Sequence, residues 1–215
     1  MKGRAIATSV SMILGVARGL VTLGFVLTVV VITVLPFARE PLEVNASWFT
    51  LGTHMTIPVR FYVDADTHRI SAPSIGIDRA ELLDTHGSLR FPSPKGSFLY
   101  INAAFLLALF LLAIWGLEQL HRVFGMLRKG QPFIDANARR LRRVAAAIMA
   151  GEVVRASMVA FNQFYARTHF TATGLLFDWS FNIDFFAVVL GLIILAIAEV
   201  FAAGTRLDED QALTI

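Results

Sequence analysis

Between Phe98 and Leu117 the chain runs for twenty residues without a charged side chain. About twenty apolar residues is what an α-helix needs to cross the hydrocarbon core of a bilayer. A helix also satisfies its own backbone polar groups, as lipid requires. Tyr100 and Trp115 stand near the two ends of this run, where amphipathic rings anchor a span at the interfaces. Three more runs share the character. Gly19–Leu35 is uncharged, Val144–Phe161 is broken only by Glu152 and Arg155, and Phe185–Phe201 carries one acid, Glu199, near its end. The whole chain agrees with them, since 16% of its residues are charged, against about 25% in soluble domains. It has no cysteine, which excludes disulfides, thiolate metal sites and cysteine nucleophiles.

Charge orients the four runs. Seven of the 19 lysines and arginines lie in Arg122–Arg143, beside the single acid Asp135. The net charge is only +3, so this cluster reads as a topology signal and not as a nucleic-acid footprint. The segment is expected in the cytoplasm, and the connection Asn162–Asn182, with only Arg167 as a base, outside. Both termini then face inward. The six bases of Phe37–Gly96 do not count, because long loops carry no weight in this rule. The first run has a rival reading as a cleaved signal peptide. Arg18 interrupts its apolar region and no A-x-A-like site follows, which favours a first span leaving the membrane near Pro36, with Arg18 snorkelling at the inner interface.

The expected fold class is an all-α integral membrane bundle of four transmembrane helices, with a small β-rich extracytoplasmic insertion between helices 1 and 2. The organisation reads as an N-terminal segment and first helix (1–36), a β-rich module (37–97), a second helix (98–121), a basic hinge (122–143), a third helix (144–161), an outer loop (162–184), a fourth helix (185–203) and an acidic tail (204–215). Within the module, Met55–Val63 is rich in β-branched and aromatic residues ahead of a turn-like Asp64–Asp66. Arg69–Ile70, Ile75–Ile77 and Ser88–Phe91 read as shorter strands, and Asp78–Asp84 as a helical turn or two. A module this small is expected to pack on the helix ends or on a second copy. Asn45-Ala46-Ser47 matches a glycosylation sequon, a three-residue signal too weak to use.

The hinge holds the most specific pattern. Pro132 stops the preceding helix, Asp135 is a plausible N-cap, and Ile134, Ala138, Leu141 and Ala145 recur at helical spacing with Arg139, Arg140, Arg142 and Arg143 on the other faces. Gly130, Phe133, Asp135 and Asn137 fit G-x-x-[FL]-x-[DE]-x-[NQ]. So do Gly204, Leu207, Glu209 and Gln211, which suggests a duplicated two-span unit in which each glycine closes a membrane helix. Chance similarity over eight positions is the other reading. The stretch Gly130-Gln-Pro-Phe133 with Asn137-Ala-Arg139-Arg140-Leu141-Arg142, and the ending Phe201-x-x-Gly204-x-x-Leu207 to Leu213-Thr214-Ile215, resemble the bacterial membrane family known as domain of unknown function 2975 (DUF2975). That resemblance implies four spans in the bacterial inner membrane and association with small helix-turn-helix regulators. It implies no activity.

Several constellations could carry function. Glu152 and Arg155, three residues apart, share a helix face. With Glu118 and Glu199 they could form an ion or proton relay, as a small transport or immunity-type protein would use. The alternative, favoured here, is a structural pair that locks the third helix in the bundle. Arg139, Arg140, Arg142 and Arg143 could hold topology and anionic lipid, latch onto Asp208, Glu209 and Asp210 of the tail, or dock a cytoplasmic transcriptional regulator. Direct nucleic-acid binding is disfavoured, there being no recognition module. His54, His68, His86, His121 and His169 show no metal-ligand spacing, and no nucleophile signature is present. No catalytic, metal or cofactor site is therefore expected. Leu213–Ile215 could add to a partner's sheet edge, or bury against the chain's own helix ends. The reading that results is a non-enzymatic membrane protein that senses or anchors at the envelope, with a structural or assembly subunit as its other rival.

Overall fold

The structure, a computed structural model, describes residues 2–34, 43–46, 49–52, 54–63, 70–72, 77–80, 85–92, 97–130, 134–172 and 175–212. Four helices dominate: α1 (Lys2–Val34), α2 (Ser97–Arg128), α3 (Asp135–His169) and α4 (Phe185–Ala212). All four are long and apolar enough to cross a membrane. Seven strands accompany them: β1 (Glu43–Ala46), β2 (Phe49–Gly52), β3 (His54–Val63), β4 (Ile70–Ala72), β5 (Ile77–Ala80), β6 (Thr85–Pro92) and β7 (Leu175–Asp178). The chain divides into two compact units, each described here by itself. One holds Met1–Val29, Ala104–Arg155 and Ile183–Ile215; the other holds Val30–Ala103 and Ala156–Asn182.

In the first unit small residues set how closely the helices approach, as expected where bundles pack without a strong hydrophobic drive. A Cβ on Gly24 would stand 3.0 Å from the Phe110 ring, one on Gly116 would stand 3.4 Å from Ala147, and one on Gly191 would stand 2.8 Å from Met149 Cγ. With Arg18 beside Glu118, Val123 in one cluster with Leu141, and Arg142 beside Glu199, these contacts make each sequence-adjacent pair of helices antiparallel. Val123, Leu141 and Ala198 form a buried core on α2, α3 and α4, ringed by Leu120, Leu127, Ile194 and Phe201. The face of α3 that the spacing marks as apolar is indeed inward, with Ala138, Leu141 and Ala145 buried. Hydroxyls inside the helices are returned to their own backbone: Thr28 Oγ1 donates to Gly24 O at 2.9 Å, and Thr22 Oγ1 to Arg18 O at 2.8 Å.

The second unit is built on β3. It pairs along one edge with β6, from His54↔Pro92 to Phe61↔Thr85. Its other edge is shared, by β2 at Thr56 and by β7 at Arg60–Val63. Pro58, which has no N–H to give a ladder, falls between those two pairings. The alternation in β3 turns Ile57 and Val59 into the core. Gly87 of β6 is required by Phe61, whose ring carbon would lie 2.9 Å from any Cβ there. An aromatic cluster packs the sheet onto helical turns: Phe98 stacks on Tyr165 with centroids 3.8 Å apart, and Phe91 meets Phe170 at 5.0 Å.

Four expectations need correcting. Asp78–Ala80 is strand and not helical turn, because it pairs with β4. The outer connection 162–184 adds β7 to the sheet of the insertion. The third helix does not stop at Phe161: α3 runs on to His169, stabilised by the ring stack of Tyr165 on His169 at 4.1 Å. Asp135 is not the N-cap of α3. The amide of Asn137 bonds Ile134 O at 2.8 Å, so Asp135 lies in the first turn, where its charge suits the helix dipole.

Gly204 does not end α4, which continues to Ala212. The two copies of the hinge motif therefore differ in backbone. Gly130 takes φ 79° after the end of α2, and Pro132 follows it, unable to continue a helix. Gly204 is followed by Thr205, whose hydroxyl bonds Phe201 O at 3.0 Å within an unbroken helix. Pro36, Asp64–Asp66, Phe133 and Leu213–Ile215 lie outside the described residues.

Gly191→Leu is expected to force Met149 aside and lower stability by about 1–3 kcal/mol. Gly151→Ala, with nothing within 4 Å of its new Cβ, should leave stability unchanged or raised by up to about 1 kcal/mol through helix propensity. Thermal unfolding of the purified chain in detergent, followed by circular dichroism, separates the two.

Candidate functional site: a buried ion pair and an ionic belt

At the midpoint of α3, Glu152 keeps only 5% of its side chain exposed. A buried carboxylate is tolerable only when paired and hydrogen-bonded, and this one has three donors. Arg155 Nε donates to Oε2 at 2.8 Å and Nη2 to Oε1 at 2.6 Å, while the backbone N–H of Asp184 donates to Oε1 at 2.6 Å. Asp184 in turn caps α4, its Oδ1 accepting the Phe186 amide at 2.9 Å. The pair thus reaches beyond its own helix to fix where α4 begins. The packing of Gly116 on Ala147 puts Glu152 level with about Leu111 of α2, well inside the uncharged run from Phe98. A backbone N–H at the start of a helix has no intrahelical acceptor, and Glu152 supplies one to Asp184.

About 15 Å along α3 from Glu152, charged side chains gather in a belt. Arg142 grips Glu199 of α4 with two bonds, Nε to Oε1 at 2.9 Å and Nη2 to Oε2 at 3.0 Å. Glu118 of α2 accepts from Arg122 Nε at 2.7 Å and from Arg18 Nη1 on α1. Arg18, the residue expected to snorkel at an interface, is paired here with Glu118. Ser11 Oγ and His121 Nδ1 lie 3.5 Å apart beside it.

The arginines of the hinge are held loosely. Arg139 pairs with Asp135 at 3.5 Å, one turn away, with more than half of each side chain exposed. Arg140 Nη1 donates to Asn137 Oδ1 at 3.3 Å, Asn137 itself being buried. Arg143 is exposed and has no partner among the described residues. Leu207 is 63% exposed. The side chains of Asp208, Glu209 and Asp210 lie outside the described residues, and the acid facing Arg142 is Glu199.

In the second unit a cavity of about 570 Å³ lies beside β7, lined by Arg167, Phe170, Phe177 and Asp178 among others. Its size is that of a small-molecule site. Arg167 Nη1 and Asp178 Oδ1 stand 3.8 Å apart across it. Its lining comes wholly from the stretch 167–178, in which no sequence motif announces it. Among the described residues, no group of three histidines or carboxylates could hold a metal ion.

This architecture defines a mostly helical protein with four membrane-length apolar helices and a small sheet. The family model described as "Protein of unknown function (DUF2975)" matches residues 74–215, and the chain belongs to that family. The match includes β5 to α4 and both hinge motifs, and leaves out α1 and β1 to β4. No curated protein and no solved structure matches the chain.

Glu152→Ala strands Arg155 and the Asp184 amide together, and is expected to cost about 3–5 kcal/mol. Replacing Glu152 and Arg155 together by leucine and methionine should recover most of that loss. Denaturant unfolding of the purified variants measures both, and a double-variant loss equal to the sum of the Glu152→Leu and Arg155→Met losses would mean that the two side chains are not coupled.

Proposed function

We propose that this chain is a non-enzymatic protein of the bacterial inner membrane with four spans and both termini in the cytoplasm. It couples an extracytoplasmic β-rich unit to a small helix-turn-helix regulator docked on Gly130–Arg143. The observation that carries the reading is α3 itself. One unbroken helix of 35 residues, about 52 Å long, bears the arginine cluster in its first turns and Arg167, which lines the cavity beside β7, in its last. A single helix with charge in its first turns and a cavity beside its last suits the relay of a displacement.

The orientation follows from the seven bases of Arg122–Arg143 against the single Arg167 of the opposite short connection. Docking is supported by the state of the arginines. Arg143 is unpartnered among the described residues, Arg139 is paired only within its own turn, and the Arg142–Glu199 pair is exposed on both sides. Exposed pairs contribute at most about 1 kcal/mol, so an acidic partner surface can exchange with Glu199. A latch of that kind is a two-state element that a partner biases. Against the transport reading, Glu152 and Glu199 are each held by an arginine fork, which disfavours a proton relay through them.

In-cell crosslinking followed by co-purification from native membranes tests the docking. Wild type should capture a small soluble regulator, and the variant with Arg139, Arg140, Arg142 and Arg143 all changed to Gln should lose it. Reporter fusions to both termini and to the 130–134 connection should all read as cytoplasmic in either chain. Recovery of the same partners from both chains would overturn the docking and leave the cluster as a topology signal.

A further inference from the structure

Between α1 and α2, beside the belt, lies a hollow of about 340 Å³ lined by Gly15, Arg18, Gly19, Thr22 and His121. Two glycines one turn apart create it, since no heavy atom lies within 4 Å of a Cβ built on either. A helix gains nothing from glycine, which costs about 1 kcal/mol against alanine at each interior position. The wall of the hollow is cationic. Arg18 gives Nη1 to Glu118, and among the described residues its Nε and Nη2 have no partner. Arg122 shares the same carboxylate, so two guanidiniums face one acid and the group is left with one positive charge in excess. The hollow sits at the boundary where the uncharged stretch of α1 begins, at Gly19, and that of α2 ends, at Leu117.

We infer that this hollow is a phosphate-binding site, with the Arg18 guanidinium as its main donor and the headgroup of an anionic phospholipid as the ligand that fits its place. Free N–H groups on a planar guanidinium suit phosphate oxygens. The glycines leave room for the group to approach the helix, and the apolar surface of α1 beyond Gly19 (Leu20, Leu23 and Leu27, all about half exposed or more) suits acyl chains. The lipid source rests on the membrane reading proposed above; the phosphate chemistry does not.

The test is native mass spectrometry of the full chain in mild detergent, with phosphatidylglycerol, phosphatidylcholine or inorganic phosphate added separately. Phosphatidylglycerol should bind more tightly than phosphatidylcholine. Gly19→Leu, which fills the hollow without changing charge, and Arg18→Gln should each weaken that binding about tenfold, the loss of one good contact. Gly19→Leu should melt no lower than wild type, and Gly15→Leu is the second filling variant should it fail to fold. If inorganic phosphate binds, is lost in the same variants, and phosphatidylglycerol shows no preference, the site stands with a soluble ligand. Equal affinity of wild type and both filling variants for phosphatidylglycerol and for phosphate would overturn it. Reporter fusions report on the membrane reading separately, so failure of one leaves the other standing.

Discussion

A carboxylate cannot sit 5% exposed at the centre of a long helix unless its surroundings are built for it. Glu152 imposes that demand on the bundle. Arg155 must lie one turn further along α3 to answer the charge, and the chain returning toward α4 must bring the Asp184 amide within 2.6 Å. Because Asp184 also caps α4, the start of that helix, its level against α3 and the contact of Gly191 with Met149 all follow from where the carboxylate stands. The net gain in stability from such a pair over apolar residues is small. What it contributes is register, because sliding α4 by one turn would take the Asp184 amide away from its acceptor and leave Glu152 one donor short.

Much of this was legible in the sequence and some was not, for reasons that can be named. The four long apolar helices showed because absence of charge over twenty residues is a signal that no neighbour needs to complete. The buried stripe of Ala138, Leu141 and Ala145 showed through its spacing. Glu152 with Arg155 showed as a pair, but Asp184 did not, since thirty-two residues separate it from its acceptor. The aspartate before two phenylalanines was nonetheless a readable helix cap. The belt pairs Arg18–Glu118 and Arg142–Glu199 were hidden in the same way. Each joins residues far apart in the chain, and each charge alone reads as a residue at an interface.

The hinge motif illustrates the opposite failure, in which local similarity promised too much. Eight positions of shared pattern around Gly130 and Gly204 suggested two helix ends, yet one glycine adopts positive φ and the other lies inside α4. The difference rests on residues the pattern leaves free. In the first copy α2 has already ended at Arg128, ahead of its glycine, whereas Thr205 and Arg206 in the second continue the helix. A glycine permits a helix to stop; something else has to stop it.

The position of β7 bears on how the protein is made. β3 finds β6 after some thirty residues, but its other edge stays half open until Leu175–Asp178 has been synthesised. By then α2 and α3 have also been made. The sheet is therefore finished late, by a strand delivered from far along the chain, and an open edge waits in the interval, where strands of other chains can pair with it. A chain that stopped short of Leu175 would keep that part of the β3 edge open for good.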